Sequence, residues 1–364
     1  MGVGLKKEIS NLKDLLNIIS SKYNLLNNIN INKENDDDSN KGYWSNISKD
    51  AQEKFLLKCK ELGSLSAVKN LFPNYEDIIF DPTRAVALKF LDIKTTDIGV
   101  DYGCMWGNLL IHCAKKSKYM VGIDQTIPSL KFLNQRLKEE NLENVSLINE
   151  NLRNSLPFNN DFDFGIINGV LEWIPDESEI DLNQHFYAAK NDKSSEYKSE
   201  PLNLQLKFLE QVNKNLKQNG KLYLAIENRW DYQHFLWKRD PHSNLFFTAI
   251  FPRWISNIIS KLIYGRPYVN YIYSMKGLNS LLAKAGFSII NKYAVFPDYR
   301  FPQKILDMQN IDTSDYEPVY INNPTKNIIK KAFRRGRYLL DIILYKKLKL
   351  MTLAPSFIII AKKD

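Results

Sequence analysis

The sequence predicts an α/β chain built on a doubly wound, mostly parallel sheet, and three observations predict it. Short apolar runs alternate with amphipathic stretches between residues 97 and 227, as strands and helices do around a parallel sheet. The first run leads into VDYGCMWGN (residues 100–108), whose Gly103 and Gly107 suit a tight turn between a buried strand and a helix. The second run ends on an acid, Asp124, 23 residues beyond Asp101.

Taken in order, residues 1–28 carry Leu12, Leu15, Leu16, Ile19, Tyr23 and Leu26 at helical intervals and read as an amphipathic helix. A polar, acidic stretch near residues 32–42 reads as a mobile loop, and residues 48–70 as a second helical region. Asp81 followed by Pro82 marks a helix start. DIGVDYG, YMVGIDQ, NVSLINEN, FDFGIING and KLYLAIEN then read as strands, with helices between the first three and at 203–217 before the fifth; residues 178–200 read as a solvated insertion. Residues 230–272 are rich in aromatics and too long for a simple connection, which suggests a lid or substrate wall. A helix ending at Gly286, the strand SIINKYAVF, a basic helical segment at 326–350 and a closing strand at 354–363 complete the chain. The expected organisation is a helical extension over 1–80, a cofactor-binding core over 81–229, the insertion 230–272, and the rest of the core over 273–364.

With 364 residues, 44% hydrophobic and 25% charged, the chain suits a globular core rather than a disordered one. Cys59, Cys104 and Cys113 lack metal-site spacing, so no metal is expected, and their odd number points to a reducing, cytoplasmic setting. MGVGLKKEIS lacks the apolar core of a signal peptide, and charges interrupt the longest apolar stretch. The net charge of +9 is concentrated in residues 326–350, which hold nine Lys or Arg and one acid, Asp341. Such a local patch fits a surface contact better than a groove for nucleic acid.

Ligands of open α/β sheets bind outside the carboxyl ends of the strands. There Asp124 can accept from ribose hydroxyls, Asn151 can meet an adenine edge with Leu152 against the ring, and Asn168 ends the fourth strand. A turn-forming role is the plain alternative for both asparagines. The segments VDYGCMWGNLL, VGIDQ, NENLRNSLPF and FDFGIINGVLEWIPD, in that order, with the late strand PSFIIIAKK, resemble the class I S-adenosylmethionine-dependent methyltransferases. The resemblance covers about residues 82–229, 272–300 and 354–363. It implies a Rossmann-like seven-stranded sheet and S-adenosyl-L-methionine as cofactor, bound by Asp101, Gly103, Gly107, Asp124, Asn151, Leu152 and Asn168. In that reading Asp101 orients the turn or meets the cofactor's amino group, Gly103 lets the backbone approach its methionine part, and Gly107 opens the helix. Met105 stands where the family has a third glycine, and Trp106 is read as packing over the cofactor. Trp173 stands where a histidine commonly follows the acid, here Glu172. A nicotinamide-binding domain needs Gly-x-Gly-x-x-Gly, which Gly103 and Gly107 do not complete.

Catalytic candidates are Glu227, which can accept a proton or hold a hydroxyl, and His234 and His242 in the aromatic insertion. Arg229 can clamp an anion or pair with Glu227, and Asp298 and Tyr299 near a later strand end are further candidates. The resemblance implies an enzyme that methylates a small-molecule acceptor. Similarity of YSMKGLNSLLAKAGF and the GRPY-bearing insertion to methyltransferases of surface-polysaccharide pathways implies a sugar or lipid-linked glycan intermediate. RNA methylation and a non-catalytic scaffold are the alternatives. Trp254, Ile255, Ile258, Ile259, Leu262 and Ile263 share one helical face, expected to pack on its own domain. Peripheral membrane contact through 250–264 and 326–350 is the other outcome.

Overall fold

The computed structural model describes residues 2–26, 28–32, 44, 47–176, 180–181, 186–187, 200–319 and 328–364. Helix α1 (Gly2–Lys22) leads into the hairpin β1 (Tyr23–Leu26) and β2 (Ile29–Asn32). Helices α2 (Lys49–Leu62), α3 (Ser64–Leu71) and α4 (Glu76–Phe80) and a 3-10 segment (Pro82–Leu91) precede the core. The core then runs β3 (Ile98–Tyr102), α5 (Asn108–Ala114), β4 (Tyr119–Asp124), α6 (Ile127–Glu139), β5 (Val145–Asn149) and β6 (Phe162–Asn168). A two-stranded ribbon, β7 (Ile180–Asp181) and β8 (Phe186–Tyr187), is followed by α7 (Pro201–Asn215) and β9 (Leu216–Glu227). Helices α8 (Arg253–Tyr264) and α9 (Met275–Lys284), strands β10 (Phe287–Phe296) and β11 (Lys304–Asp307), helix α10 (Ile328–Asp341) and strand β12 (Ser356–Lys363) complete it.

Ten strands form one sheet in the order β1-β2-β5-β4-β3-β6-β9-β12-β10-β11. The five strands from β5 to β9 are parallel, and order reverses beside β3, which is buried along its whole length. β12 enters antiparallel between β9 and β10. The seven strands expected from the sequence are all there, and the sheet is wider by three. The expected helix over 1–28 stops at Lys22 because Asn28 takes a left-handed φ of 65° and turns the chain, so that Ile29 and Ile31 pair alongside β5. β11 adds to β10 at the opposite edge.

Local chemistry accounts for several boundaries. The helical region at 48–70 is two helices, because Gly63 at φ 85° ends α2 with its N–H on the Cys59 carbonyl. Asp81 caps the next segment by accepting the Thr83 N–H at 2.8 Å with Pro82 behind it, although that segment is 3-10 rather than α. The expected loop near 32–42 and most of the insertion at 178–200, with His185, lie outside the described residues, as do the side chains of residues 326–333.

The expectation for α8 is overturned. Its apolar face points outward, with Leu262 82% and Trp254 65% exposed and Ile258 and Ile263 about half exposed, while Ser256 and Ser260 face inward. The inversion is possible because Ser256 donates to the Thr248 carbonyl at 2.8 Å, so the inward polar position is satisfied. In the basic segment, Arg334, Arg335, Lys346, Lys347 and Lys349 are exposed, whereas Asp341 is buried and accepts from the Tyr232 hydroxyl. No helix among the described residues is long and apolar enough to cross a membrane.

Candidate functional site

At the end of β3 the chain makes a turn with three left-handed residues: Gly103 (φ 75°), Met105 (47°) and Gly107 (77°). The N–H groups of Gly103 and Cys104 both donate to the Ile123 carbonyl of β4, at 2.8 and 3.0 Å. A Cβ on Gly103 would stand 2.6 Å from Val170 Cγ2, and one on Gly107 2.1 Å from Leu133 Cδ1. Glycine is therefore required twice over, by torsion and by packing. Met105, at the position where the resemblance expects a third glycine, is itself left-handed, and its N–H is tied to Asp124 Oδ2 at 2.9 Å. Trp106 does not face the strand ends: it is buried among Tyr75, Phe132 and the N-terminal helices, its carbonyl accepting from Arg136.

Asp124 is buried at the end of β4 and already holds structure. Besides Met105 it accepts the Thr126 N–H at 2.8 Å and the Thr126 hydroxyl at 2.6 Å, both on Oδ1. About three of a carboxylate's roughly four acceptor positions are thus engaged, leaving capacity for about one further donor. Burial raises the Asp124 pKa against these hydrogen bonds. Asp101, one strand over, is pushed up to about 7 by burial and then by the charge of Asp124, with Arg84 opposing. Asn151 serves as a turn former, its Oδ1 accepting the Arg153 N–H at 3.1 Å, and Leu152 is buried beside it. Asn168 keeps a buried Oδ1 without a hydrogen-bond partner. An orphan acceptor, a spare position on Asp124 and a buried acid fit a ligand that brings hydroxyls and a positive charge to the ends of β3, β4 and β6.

A second constellation lies beside the first. Val170, whose side chain packs on Gly103, leads to Glu172 in the short 3-10 turn Leu171–Trp173. Glu227 ends β9, and His242 arrives from the aromatic insertion. His242 Nε2 lies 3.8 Å from Glu172 Oε1 and 3.8 Å from Glu227 Oε2, and its Nδ1 lies 3.3 Å from Asp240 Oδ1. Asp240 is fixed in turn: it accepts the His242 N–H at 2.8 Å, the Tyr268 hydroxyl at 2.7 Å and the Thr248 hydroxyl at 3.1 Å. Tyr299 donates to Glu227 Oε1 at 3.3 Å, and the Trp173 ring meets the His242 ring edge to face at 5.0 Å. Burial pulls the imidazole pKa down, but the three carboxylates outweigh it and push it up to about 10. Glu172 is raised by its complete burial and then by Glu227.

The structure thus brings together Glu227, His242, Glu172 and Tyr299 and leaves out His234, whose Nδ1 faces the Lys238 carbonyl at 3.3 Å. Arg229 neither pairs with Glu227 nor faces this cluster; its Nη2 donates to the Ile250 and Phe251 carbonyls and anchors the insertion. Asp298 caps its own turn through the N–H groups of Arg300 and Phe301. Asp240 and Tyr268 were not singled out from the sequence. The available signal was Asp-Pro-His at 240–242, in which an acid two residues before a histidine can hold its ring nitrogen.

Residues 100–190 match the family described as "Methyltransferase domain". Over 82 residues the chain is 31% identical to a probable cobalt-precorrin-6B C(15)-methyltransferase (decarboxylating) of Methanocaldococcus jannaschii, a stretch that makes up 22% of this chain and 45% of that protein. The chain therefore spans under half the length of that curated relative. Similar solved structures include a putative S-adenosylmethionine dependent methyltransferase from Listeria monocytogenes, 14% identical, covering 78% of this chain and 100% of that one at a TM-score of 0.42. A SAM dependent methyltransferase from Aquifex aeolicus is 16% identical, covering 64% and 92% at a TM-score of 0.37. In this chain the glycine turn after β3 and the parallel strands β4 to β6 fall within the residues, 100–190, that are similar to the methyltransferase-domain family.

Proposed function

We propose that the protein transfers a methyl group from S-adenosylmethionine to a hydroxyl of a small-molecule acceptor, a sugar or lipid-linked glycan intermediate. One juxtaposition carries the reading: the glycine turn and the Glu172, Glu227 and His242 cluster adjoin at the carboxyl edge of the sheet, joined by the contact of Val170 with Gly103. Bound S-adenosylmethionine supplies a methyl group on a sulfonium, already activated for in-line transfer. The chain's task is to hold both partners and exclude water. Asp124 has acceptor capacity for a ribose hydroxyl, and Asp101 and Asn168 can accept from a charged amino group. The cluster can accept the acceptor hydroxyl's hydrogen bond and take its proton as the new bond forms.

The exposed apolar face of α8 and the exposed cations between residues 334 and 349 support an acceptor met at an anionic lipid surface. The test is a labelled-methyl assay on extract from a strain that lacks the protein, with purified enzyme added. Label should enter a small organic-soluble or glycan fraction; label confined to RNA, or none at all, overturns the reading. In parallel, calorimetry should show Asp124→Ala weakening cofactor binding about a hundredfold, or ~3 kcal/mol.

A further inference from the structure

We infer that Glu172, Glu227 and His242 form a site for one divalent transition-metal cation. One ligand atom from each lies within 4.8 Å of the other two, and the imidazole Nε2 is 3.8 Å from each glutamate. Three atoms spaced in that way share a centre about 2.2–2.5 Å from each, which a contraction of a few tenths of an ångström brings to the ~2.0–2.2 Å of transition-metal nitrogen and oxygen ligands.

The alternative is an ion triad around a protonated imidazole. Such a triad closes to about 2.7–2.9 Å, because a charged N–H draws a carboxylate in to hydrogen-bond length. Here the groups stand off at 3.8 Å, and neither oxygen of the fully buried Glu172, nor Oε2 of Glu227, has a hydrogen-bond partner. Leaving several charged acceptors buried and unsatisfied is costly, and the cost is met when they converge on a cation. Three carboxylates, those of the buried Asp240 and Glu172 and of the largely buried Glu227, converge on one imidazole.

The outer partners fit the same assignment. Asp240 takes the Nδ1 side of the ring, which turns the Nε2 lone pair toward the glutamates, and Tyr268 and Thr248 hold Asp240. A carboxylate behind a histidine ligand is the usual way of fixing its tautomer and orientation. One imidazole with two carboxylates suits Mn2+, Fe2+, Co2+ or Zn2+ better than Ca2+ or Mg2+, which prefer oxygen alone. Three protein ligands leave positions open. An acceptor oxygen on one of them would rest on the methyl-transfer reading; the metal site does not.

The test uses the full chain, stripped with a chelator and titrated with MnCl2 by calorimetry and electron paramagnetic resonance, with neither S-adenosylmethionine nor acceptor present. A single saturable site is expected in the wild type. Glu172→Gln and Glu227→Gln, each checked for native circular dichroism, should weaken it by about a hundredfold or more, since even changes behind a ligand cost 10- to 100-fold. Co2+ bound to the wild type should give visible bands that shift in His242→Gln as a nitrogen ligand is lost. Absence of stoichiometric binding by Mn2+, Co2+ and Zn2+, or equal affinity in the folded glutamine variants, overturns the assignment while leaving methyl transfer untouched.

Discussion

Replacing Asp101 by Asn should stabilise the protein at pH 8 and leave it nearly unchanged below pH 4. The carboxyl lies within the fully buried β3, and burial followed by the charge of Asp124 moves it from 3.8 to about 7. In the unfolded chain it ionises near its ordinary value, so between the two values the unfolded state gives up its proton first and rising pH favours unfolding. The folded state holds its full advantage below the unfolded pKa and loses it as pH climbs through about 7. About three pH steps at 1.36 kcal/mol each amount to roughly 4 kcal/mol lost above pH 7, an upper bound. Asparagine has nearly the same shape and no proton to lose in this range. Urea unfolding of both proteins at pH 4, 6 and 8 should give a stability difference that starts near zero and grows toward that bound in favour of Asp101→Asn. A difference that does not change with pH, or one that shrinks as pH rises, refutes the reasoning. A cation bound beside Asp101 should likewise be held more tightly as pH rises through 7, with release of a proton.

Gly107→Ala should cost about 2–4 kcal/mol in urea unfolding, since the left-handed torsion and a Cβ placed 2.1 Å from Leu133 both resist the methyl group. Tyr268→Phe removes a hydrogen bond to the buried Asp240 carboxylate and should lower stability by about 1.5–3 kcal/mol in the same assay. The triple change Trp254→Ser, Ile258→Ser and Leu262→Ser should move stability by less than about 1 kcal/mol because all three are exposed, yet abolish sedimentation with anionic vesicles. Vesicle binding equal to wild type would remove the support this face gives to a lipid surface.

The core was legible because its signals are local. The alternation from β3 to β9 follows from runs of apolar residues, and Gly103 and Gly107 announce a turn that only glycine fits. The β1–β2 hairpin was hidden, since Leu26 continues a helical spacing and only the left-handed Asn28 breaks it. α8 was read as a helix, but periodicity reveals that a face is apolar and not which way it turns; Ser256 and Thr248 decide that through a contact outside the helix. The sequence located the acids at the ends of β3 and β4, while the engagement of Asp124 with Met105 and Thr126 depends on how the turn closes. Beyond β6, Trp173 in place of a histidine suggested a missing imidazole. An imidazole reaches Glu172 from His242, 70 residues beyond that glutamate and two after the Asp240 that holds the ring, a pairing that exists only once the chain is folded.

The segment that delivers His242 is fastened to the rest of the chain at several points: the Ile250 and Phe251 carbonyls accept from Arg229, the Tyr271 carbonyl accepts from Gln205, Asn270 donates to the Glu172 carbonyl and Tyr232 donates to Asp341. None of those fastenings belongs to the turn after β3. The turn after β3 and the segment between β9 and α9 are thus anchored separately, so exchanging that segment would disturb the neighbourhoods of Glu172, Gln205 and Asp341 while leaving the bonds of the glycine turn in place.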